Sequence, residues 1–471
     1  MKGLDSPRLL WIYVNDRERL PDHDEATKER FRQGHAVQEQ AQRLFDGIEL
    51  SDAGFMANIQ RSKQLLDAGN TVFEAGIKQG RLYARSDIIR PTENGIVLTE
   101  VKSSTSVKDY HLDDLAFQKH VLEQQGYDVH TVEVIHINTD YRRQGKLEPQ
   151  HLLLEQDVTS KVEDAQEGIE ERIHEMLTVI NQEDPPEFNP ANIPDSTHGN
   201  PLIDAFKNNL PDDSVYHLYY ARSKQHDLYD DGVKHLQDIP EHVDLTEKQR
   251  IQRRVAASQE PHVDEDKISD FLDGLEHPLI YLDFEAMNHA IPLYDDTTPY
   301  EQIPFQYSMH VEDKDGSVDH NEYVDQATGD PRQRFLDALK SDLPPRGSII
   351  VWNEWFEKHV LRGLETHTGE PIPSFDRFTD LQDVFTEFWY YDPKQRGSTS
   401  LKTIYPILSE DKHLSYEELP IKKGDTAALR YKRQRDNPDD RLVEVLKEYC
   451  GLDTYSMKVI KDQLRTHCDQ A

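Results

Sequence analysis

The sequence predicts an α/β protein built from two α/β units separated by a charged helical stretch. Three observations carry that expectation. Short apolar runs rich in Val, Ile, Tyr and Phe recur within residues 81–138 and again within 279–352, flanked by polar or turn-forming residues as strands require. Segments with apolar residues three and four apart alternate with them, as amphipathic helices do. Between the two groups lies a polar, proline-rich stretch followed by short charged patterns.

In chain order, Phe31 to Phe45 reads as an amphipathic helix. Arg81 to Arg90, Ile96 to Lys102 and Thr131 to Asn138 read as strands, with a helix from Leu112 to Gln125 before the last. Ser160 opens a long helix through a capping box, Ser160-x-x-Glu163, and Val162, Ala165, Ile169, Ile173, Met176 and Ile180 follow at helical spacing. That helix stops before Glu183-Asp184-Pro185-Pro186, and an irregular connection runs to about Pro201. Residues 202–270 carry short, highly charged helical patterns. A second α/β unit opens near Pro278, with strands at Leu279–Phe284, Phe305–Val311 and Ser348–Trp352 and helices after Asn353, Asp380 and Arg441. The expected division is therefore 1–155, 156–270 and 271–471.

The chain has 89 acidic and 54 basic side chains, a net charge of -35. Such a surface repels a phosphate backbone over most of its area. That excludes a non-specific coating protein, but not an enzyme with a local basic channel. No run of about 18 uncharged apolar residues occurs, so no membrane span or membrane partner is expected. The opening Met1-Lys2-Gly3-Leu4-Asp5 lacks an apolar signal core. Cys450 and Cys468 are too few for a disulfide framework or a four-thiolate cluster, which fits a reducing, cytoplasmic setting.

Two short strings in the second unit carry chemistry. Asp283-Phe284-Glu285 follows the apolar run Leu279-Ile280-Tyr281-Leu282, and residues two apart on a strand project from one face. Tyr449-Cys450-Gly451-Leu452-Asp453 lies in an apolar-periodic segment, where a spacing of four puts Tyr449 and Asp453 on one side of a helix. Between them, Val351-Trp352-Asn353-Glu354-Trp355-Phe356-Glu357 reads as a strand entering a helix, with Asn353 as its cap and Glu357 on the first turn. Carboxylates gathered in this way suit two Mg2+ or Mn2+ ions about 3.5–4 Å apart, which activate a water and stabilise the leaving oxygen of a phosphodiester.

In that order, these residues resemble the DEDD exonuclease superfamily, and the tyrosine resembles its DEDDy branch. The resemblance implies a ribonuclease H-like fold, Asp283, Glu285, Glu357 and Asp453 as metal ligands, and Tyr449 as the group that orients the attacking water. The third ligand of that family is usually Asp. Here the matching position is Glu357, with Asp380 on the next element as the alternative. Over residues 279–460 the chain resembles the DUF2779 family more closely still. That likeness rests on Tyr281-Leu282-Asp283-Phe284-Glu285-Ala286-Met287-Asn288, Ile303-Pro304-Phe305-Gln306-Tyr307-Ser308, Gly397-Ser398-Thr399-Ser400-Leu401-Lys402 and Tyr449 to Thr454. It names no substrate.

The first unit holds another constellation. Asp87 lies on one expected strand, and Glu100 and Lys102 share a face of the next, so the three can converge. Two carboxylates can hold one Mg2+, while a lysine lowers the pKa of water or neutralises charge developing on phosphate. The strings Tyr83-Ala84-Arg85-Ser86-Asp87-Ile88-Ile89, Thr99-Glu100-Val101-Lys102-Ser103-Ser104 and Asp114-Leu115-Ala116-Phe117-Gln118 resemble PD-(D/E)XK nucleases of the RecB and Cas4 type. The likeness covers about residues 1–155, with an extension to about 205. It implies a restriction-endonuclease-like core with Asp87 and Glu100 as metal ligands, Lys102 as catalytic and Gln118 as the glutamine following the core. Glu74, read as part of an upstream helical segment, also matches. Two departures stand out. Gly34 is followed at the fourth place by Gln38 rather than His, and His35 faces elsewhere. Ser6 occupies the early cluster-cysteine position, and the region from His198-Gly199-Asn200-Pro201 onward has no matching cysteine, so no iron–sulfur cluster is expected.

Arg430-Tyr431-Lys432-Arg433-Gln434-Arg435 is a local basic cluster in an acidic chain. One reading makes Arg430, Lys432, Arg433 and Arg435 phosphate contacts with Tyr431 stacking on a base. The other is a solvated loop or helix face. Taken together, the sequence predicts a Mg2+- or Mn2+-dependent nuclease, with a two-metal site in the second unit and one or two ions in the first. The expected partner is nucleic acid, DNA more than RNA, in repair, recombination or defence against foreign DNA. The alternative is a nucleic-acid-binding scaffold in which one or both nuclease folds are inactive.

Overall fold

The computed structural model describes residues 2–188, 190, 200–372, 375–409, 416, 419–421, 424–436 and 438–470. His198 and Gly199, in the region considered for cluster cysteines, lie outside the described residues. The chain is α/β and divides into two units, Met1–Asp204 with Asn288–Glu301, and Ala205–Met287 with Gln302–Ala471. The segment Asn288–Glu301 belongs to the first unit through directed bonds. Arg143 donates to the carbonyls of Pro292 (2.8 Å) and Leu293 (3.2 Å), the Gly145 amide donates to Asp295 (2.7 Å), and the Tyr300 hydroxyl donates to the Ser103 carbonyl.

In the first unit, six strands form one sheet in chain order: β1 (Ile48–Glu49), β2 (Val72–Gln79), β3 (Leu82–Thr92), β4 (Gly95–Val101), β5 (Val129–Ile137) and β6 (Leu153–Asp157). β2, β3 and β4 form an antiparallel meander, and β4 and β5 run parallel. The helices that frame this sheet are α1 (Glu25–Gln42), α2 (Phe55–Asp67) and α3 (Asp109–Gln124), the last being the crossover a parallel pair needs. Leu66 of α2 and Leu115, Val121 and Leu122 of α3 pack with Val72, Ile77, Ile89, Leu98 and Val132. Val37 and Ala41 of α1 pack instead with Phe73, Ile88, Val101 and Ile135. The sheet is thus covered on both faces.

Two expectations fail here for identifiable reasons. Glu74 lies in strand β2, not in a helix. Because Val72, Phe73, Ala75 and Ile77 are all buried, the strand shows no polar alternation to betray it. The long helix from Ser160 is two helices, Thr159–Gln166 and Ile169–Ile180, interrupted at Gly168, whose φ of 70° is left-handed. Its expected capping box does not form; Ser160 lies within the helix, and the Thr159 amide bonds Asp157 at 2.8 Å.

The second unit has strands β7 (His262–Val263), β8 (Leu279–Met287), β9 (Ile303–Glu312), β10 (Val318–Val324), β11 (Ile349–Val351), β12 (Phe378–Asp380) and β13 (Tyr390–Tyr391). Its framing helices are α4 (Glu247–Ser258), α5 (Arg332–Asp342), α6 (Glu354–Thr368), α7 (Leu401–Leu408), α8 (Gly424–Asp436) and α9 (Asp440–Gln470). The main sheet has the order β10-β9-β8-β11-β12, antiparallel on the β9 side and parallel on the β11 side; β7 pairs with β13. Ile280, Leu282 and Phe284 of β8 face α5 and α6 through Phe335, Leu336, Val360 and Leu364. Leu279 and Tyr281 face α7 and α9 through Ile404, Tyr405, Met457 and Ile460. By strand parity, Asp283 and Glu285 continue the second set, toward α7 and α9. Among the described residues, no helix is long and apolar enough to cross a membrane.

Candidate metal centre and a second carboxylate cluster

Asp283 and Glu285 project from the end of β8, where the register with β9 shifts immediately after Glu285. Such a bulge re-aims side chains at a strand end. Asp453 comes from the middle of α9. Each of the three carboxylates brings an oxygen within 4.8 Å of the others, and among the described residues this is the group of that kind. The Tyr416 hydroxyl donates to Asp453 at 2.6 Å, and the Cys450 thiol donates to Asp283 at 3.2 Å. Burial pushes the Asp453 carboxyl up to about 6, against the hydrogen bond from Tyr416 and the charge of Lys402. Burial, and then the charge of Asp453, hold Asp283 well above the usual carboxylate range. Oxygens crowded at the cost of their own ionisation are what a hard divalent cation would relieve.

Glu357 sits on the first turn of α6 and is 1% exposed. Its Oε2 has no hydrogen-bond partner. Burial raises its pKa well above the usual range, and the charges of Asp283, Asp380 and Glu285 raise it further, so it belongs electrostatically to the cluster. Asp380, the alternative third carboxylate, is otherwise engaged. It accepts from the backbone amides of Asn353 (3.1 Å), Glu354 (2.9 Å) and Gln382 (2.9 Å). Asn353 makes no side-chain cap and has a left-handed φ of 77°. The expected cap is therefore replaced by one from β12, because Asp380 reaches the orphan amides across the sheet.

Tyr449 is 3% exposed and lies one turn before Asp453 on α9. Lys402 Nζ donates to its hydroxyl at 2.7 Å and lies 4.6 Å from its ring centroid. Burial, followed by the charges of Asp453, Glu285 and Asp283, raises the Tyr449 phenol, so it stays protonated. Sequence reading assigns Lys402 no role. The signal was present: it is the sole charged residue of α7, Leu401-Lys402-Thr403-Ile404-Tyr405-Pro406-Ile407-Leu408. Tyr416 had no sequence signal.

The basic cluster is part of helix α8, whose Gly424 lies so close to Glu285 that an added Cβ would stand 3.3 Å from its Oε2. Arg433 is exposed, whereas Arg430, Lys432 and Arg435 are half-buried. Tyr431 is not available to a base. It is fully buried, stacks on Phe305 with centroids 4.0 Å apart, and donates to Asp325 at 3.1 Å. An aromatic between basic residues reads as a stacking platform in sequence, but here α8 turns that position into the core.

In the first unit, Asp87 (β3), Glu100 (β4) and Lys102 do converge. Lys102 donates to Glu100 at 2.5 Å and lies 3.9 Å from Asp114. Gln118 of α3 donates to the other Glu100 oxygen at 2.9 Å. Asp87 accepts from the Val101 amide at 2.7 Å. Burial and then the Glu100 charge hold Asp87 well above the carboxylate range. Burial alone would lower the Lys102 ammonium, but Glu100 and Asp114 reverse that and hold it above its ordinary value. Gln38, the departure noted on α1, donates to both Glu74 and Asp87, the latter at 3.3 Å. His35 is exposed. Glu74 joins the cluster with a left-handed φ of 56° and an ion pair to Arg85.

Residues 280–400 match the family described as Domain of unknown function (DUF2779). Uncharacterized protein MG366 homolog of Mycoplasma pneumoniae is 26% identical over 216 residues, covering 40% of this chain and 32% of that protein. Uncharacterized protein MG366 of Mycoplasma genitalium is 27% identical over 216 residues, covering 41% and 32%. Uncharacterized protein UU173 of Ureaplasma parvum is 24% identical over 233 residues, covering 43% and 33%. The chain thus spans about a third of the length of the curated relatives it matches. No solved structure matches it.

Proposed function

We propose that this chain, whose residues 280–400 match DUF2779, is a metal-dependent nuclease hydrolysing phosphodiester bonds, in DNA more than RNA. The observation that carries this reading is the Asp283, Glu285 and Asp453 group, with oxygens within 4.8 Å of one another and a buried, unpartnered Glu357 oxygen beside it. We read the second unit as ribonuclease H-like, since its central strand bears the first two carboxylates between an antiparallel and a parallel neighbour. We read the first as a PD-(D/E)XK core, on Asp87, Glu100, Lys102 and Gln118. Repair, recombination or defence against foreign DNA is the proposed setting, in the cytoplasm.

Asp283, Glu285, Asp453 and Glu357 would hold Mg2+ or Mn2+, and Asp87 and Glu100 would do so in the first unit. When bound, such ions supply charge that activates water and stabilises the leaving oxygen. The protein's own groups do the rest. Lys402 fills one lone pair of the Tyr449 oxygen, which leaves the phenol proton to orient water or a phosphate oxygen. Lys102 offers a cation at the first cluster for the charge that develops on phosphate.

The test incubates labelled single- and double-stranded DNA and RNA with Mg2+ or Mn2+. Wild type is compared with Lys102→Ala, Asp283→Ala and the double variant. Cutting by wild type that the double variant lacks supports the reading, and residual cutting in one single variant identifies the working site. No cutting on any substrate, with binding retained, favours the scaffold alternative.

A further inference from the structure

Away from the candidate metal centre, the second unit contains a cleft of about 710 Å³ lined by aromatic, basic and acidic side chains. Its aromatic side is a chain of edge contacts. Tyr220, 82% exposed, meets Tyr219 at 4.6 Å and 90°, and Tyr219 meets Phe388 at 4.9 Å. Tyr220 and Phe388 hold left-handed φ values of 45° and 58°, an uncommon backbone for bulky residues. The fold therefore presents the Tyr220 ring to solvent at some cost.

The basic side comes from α4. Arg250 and Arg254 are exposed and four residues apart, so they share one helix face as like charges. Arg250 has no carboxylate partner among the described residues, and Arg254 donates to the His262 ring at 3.2 Å. Lys248 and Lys267 also line the cleft but are paired, with Glu387 at 3.1 Å and Asp264 at 2.8 Å. Glu247, Asp264 and Glu387 also line the cleft, so its four cations exceed its carboxylates by one, in a chain whose net charge is -35.

We propose that this cleft binds single-stranded nucleic acid, with Tyr220 stacking on a base and Arg250 and Arg254 contacting phosphates. Rings and alternating anions match the repeat of an unpaired strand, whereas a duplex would hide its bases from Tyr220. The proposal goes beyond the hydrolytic reading. It gives the acidic protein an anchoring surface separate from its candidate metal centre.

The experiment measures binding of labelled oligothymidylate and oligouridylate by fluorescence anisotropy in EDTA, so that no hydrolysis is needed. It uses the full chain, Tyr220→Ala and Arg250→Ala/Arg254→Ala, with circular dichroism as the check on folding. The expected loss for Tyr220→Ala is roughly 5- to 100-fold in affinity. For the double arginine variant, the slope of log affinity against log salt should shrink by about 1.4, at about 0.7 per single-strand phosphate. All three substituted side chains are exposed, so folded variants are expected. Folded variants that bind as wild type does would overturn the proposal, as would equal loss on duplex of the same length. Failure of hydrolysis with these losses intact would count against the nuclease reading alone.

Discussion

Neutralising one carboxylate of the candidate metal centre should make the metal-free protein more stable. Asp453→Asn keeps an oxygen to accept the Tyr416 hydroxyl, which lies 2.6 Å away in the wild type, and removes only the charge. The folded carboxyl is raised from 3.8 to about 6, chiefly by burial. The sign follows from which state protonates more readily. Below pH 3.8 both states hold the proton and the site costs nothing. Between 3.8 and about 6 the unfolded chain releases it first, so stability falls as pH rises; above about 6 the penalty is constant. At about 1.36 kcal/mol per unit, the full penalty is about 3 kcal/mol. Relief of Asp283, which the Asp453 charge also raises, acts in the same direction. Urea denaturation in EDTA should therefore give Asp453→Asn an advantage of about 1–2 kcal/mol near pH 5 and about 3 kcal/mol near pH 8. Mg2+ or Mn2+ at about 100 times its dissociation constant should then stabilise wild type by about 2.7 kcal/mol and the variant much less. If Asp453→Asn is destabilised at both pH values and wild type ignores the metals, the carboxylates are a structural hydrogen-bond cluster and the metal reading fails.

Asp380→Ala should cost about 2 kcal/mol in denaturant titrations through loss of the α6 cap, while Mn2+ affinity measured by calorimetry stays near wild type. A large loss of Mn2+ affinity would instead make Asp380 a ligand. Tyr431→Ala should destabilise by roughly 3–5 kcal/mol, as a buried aromatic does; an unchanged midpoint would return it to the surface. Lys402→Met should lower kcat roughly tenfold or more with little change in KM, and the loss should not add to that of Tyr449→Phe. Additive losses would mean that the 2.7 Å contact between them is incidental to turnover.

What the sequence made legible was local. The spacing of two in Asp283-x-Glu285 and of four in Tyr449-x-x-x-Asp453 dictates a shared face whatever the rest of the chain does. Flanking apolar runs then tell which elements carry them. The unread parts depend on long-range pairing. Lys402 meets Tyr449 across 47 residues, and Asp380 caps α6 from 26 and 27 residues away. Tyr431 is separated by 106 residues from Asp325, the carboxylate that receives its hydroxyl. No periodicity encodes such contacts. The misreading of Glu74 has a different origin, because β2 is covered on both faces and its residues carry no alternation.

The departures from the expected motifs are themselves informative, because each nonstandard side chain turns inward rather than away. Glu357 stands where the expected motif would place the shorter aspartate, and it is buried and leaves one oxygen unpartnered near Asp283 and Glu285. Its helix begins at a left-handed Asn353, with Asp380 supplying the cap. The helix start and the longer side chain are therefore parts of one local solution. Gln38 stands where the motif expected for the first unit would place histidine, and its amide bridges Glu74 and Asp87. An amide donates without titrating, so it can hold two carboxylates together at any pH. Both departures thus put polar atoms among the carboxylates, which the proposed cation sites would use.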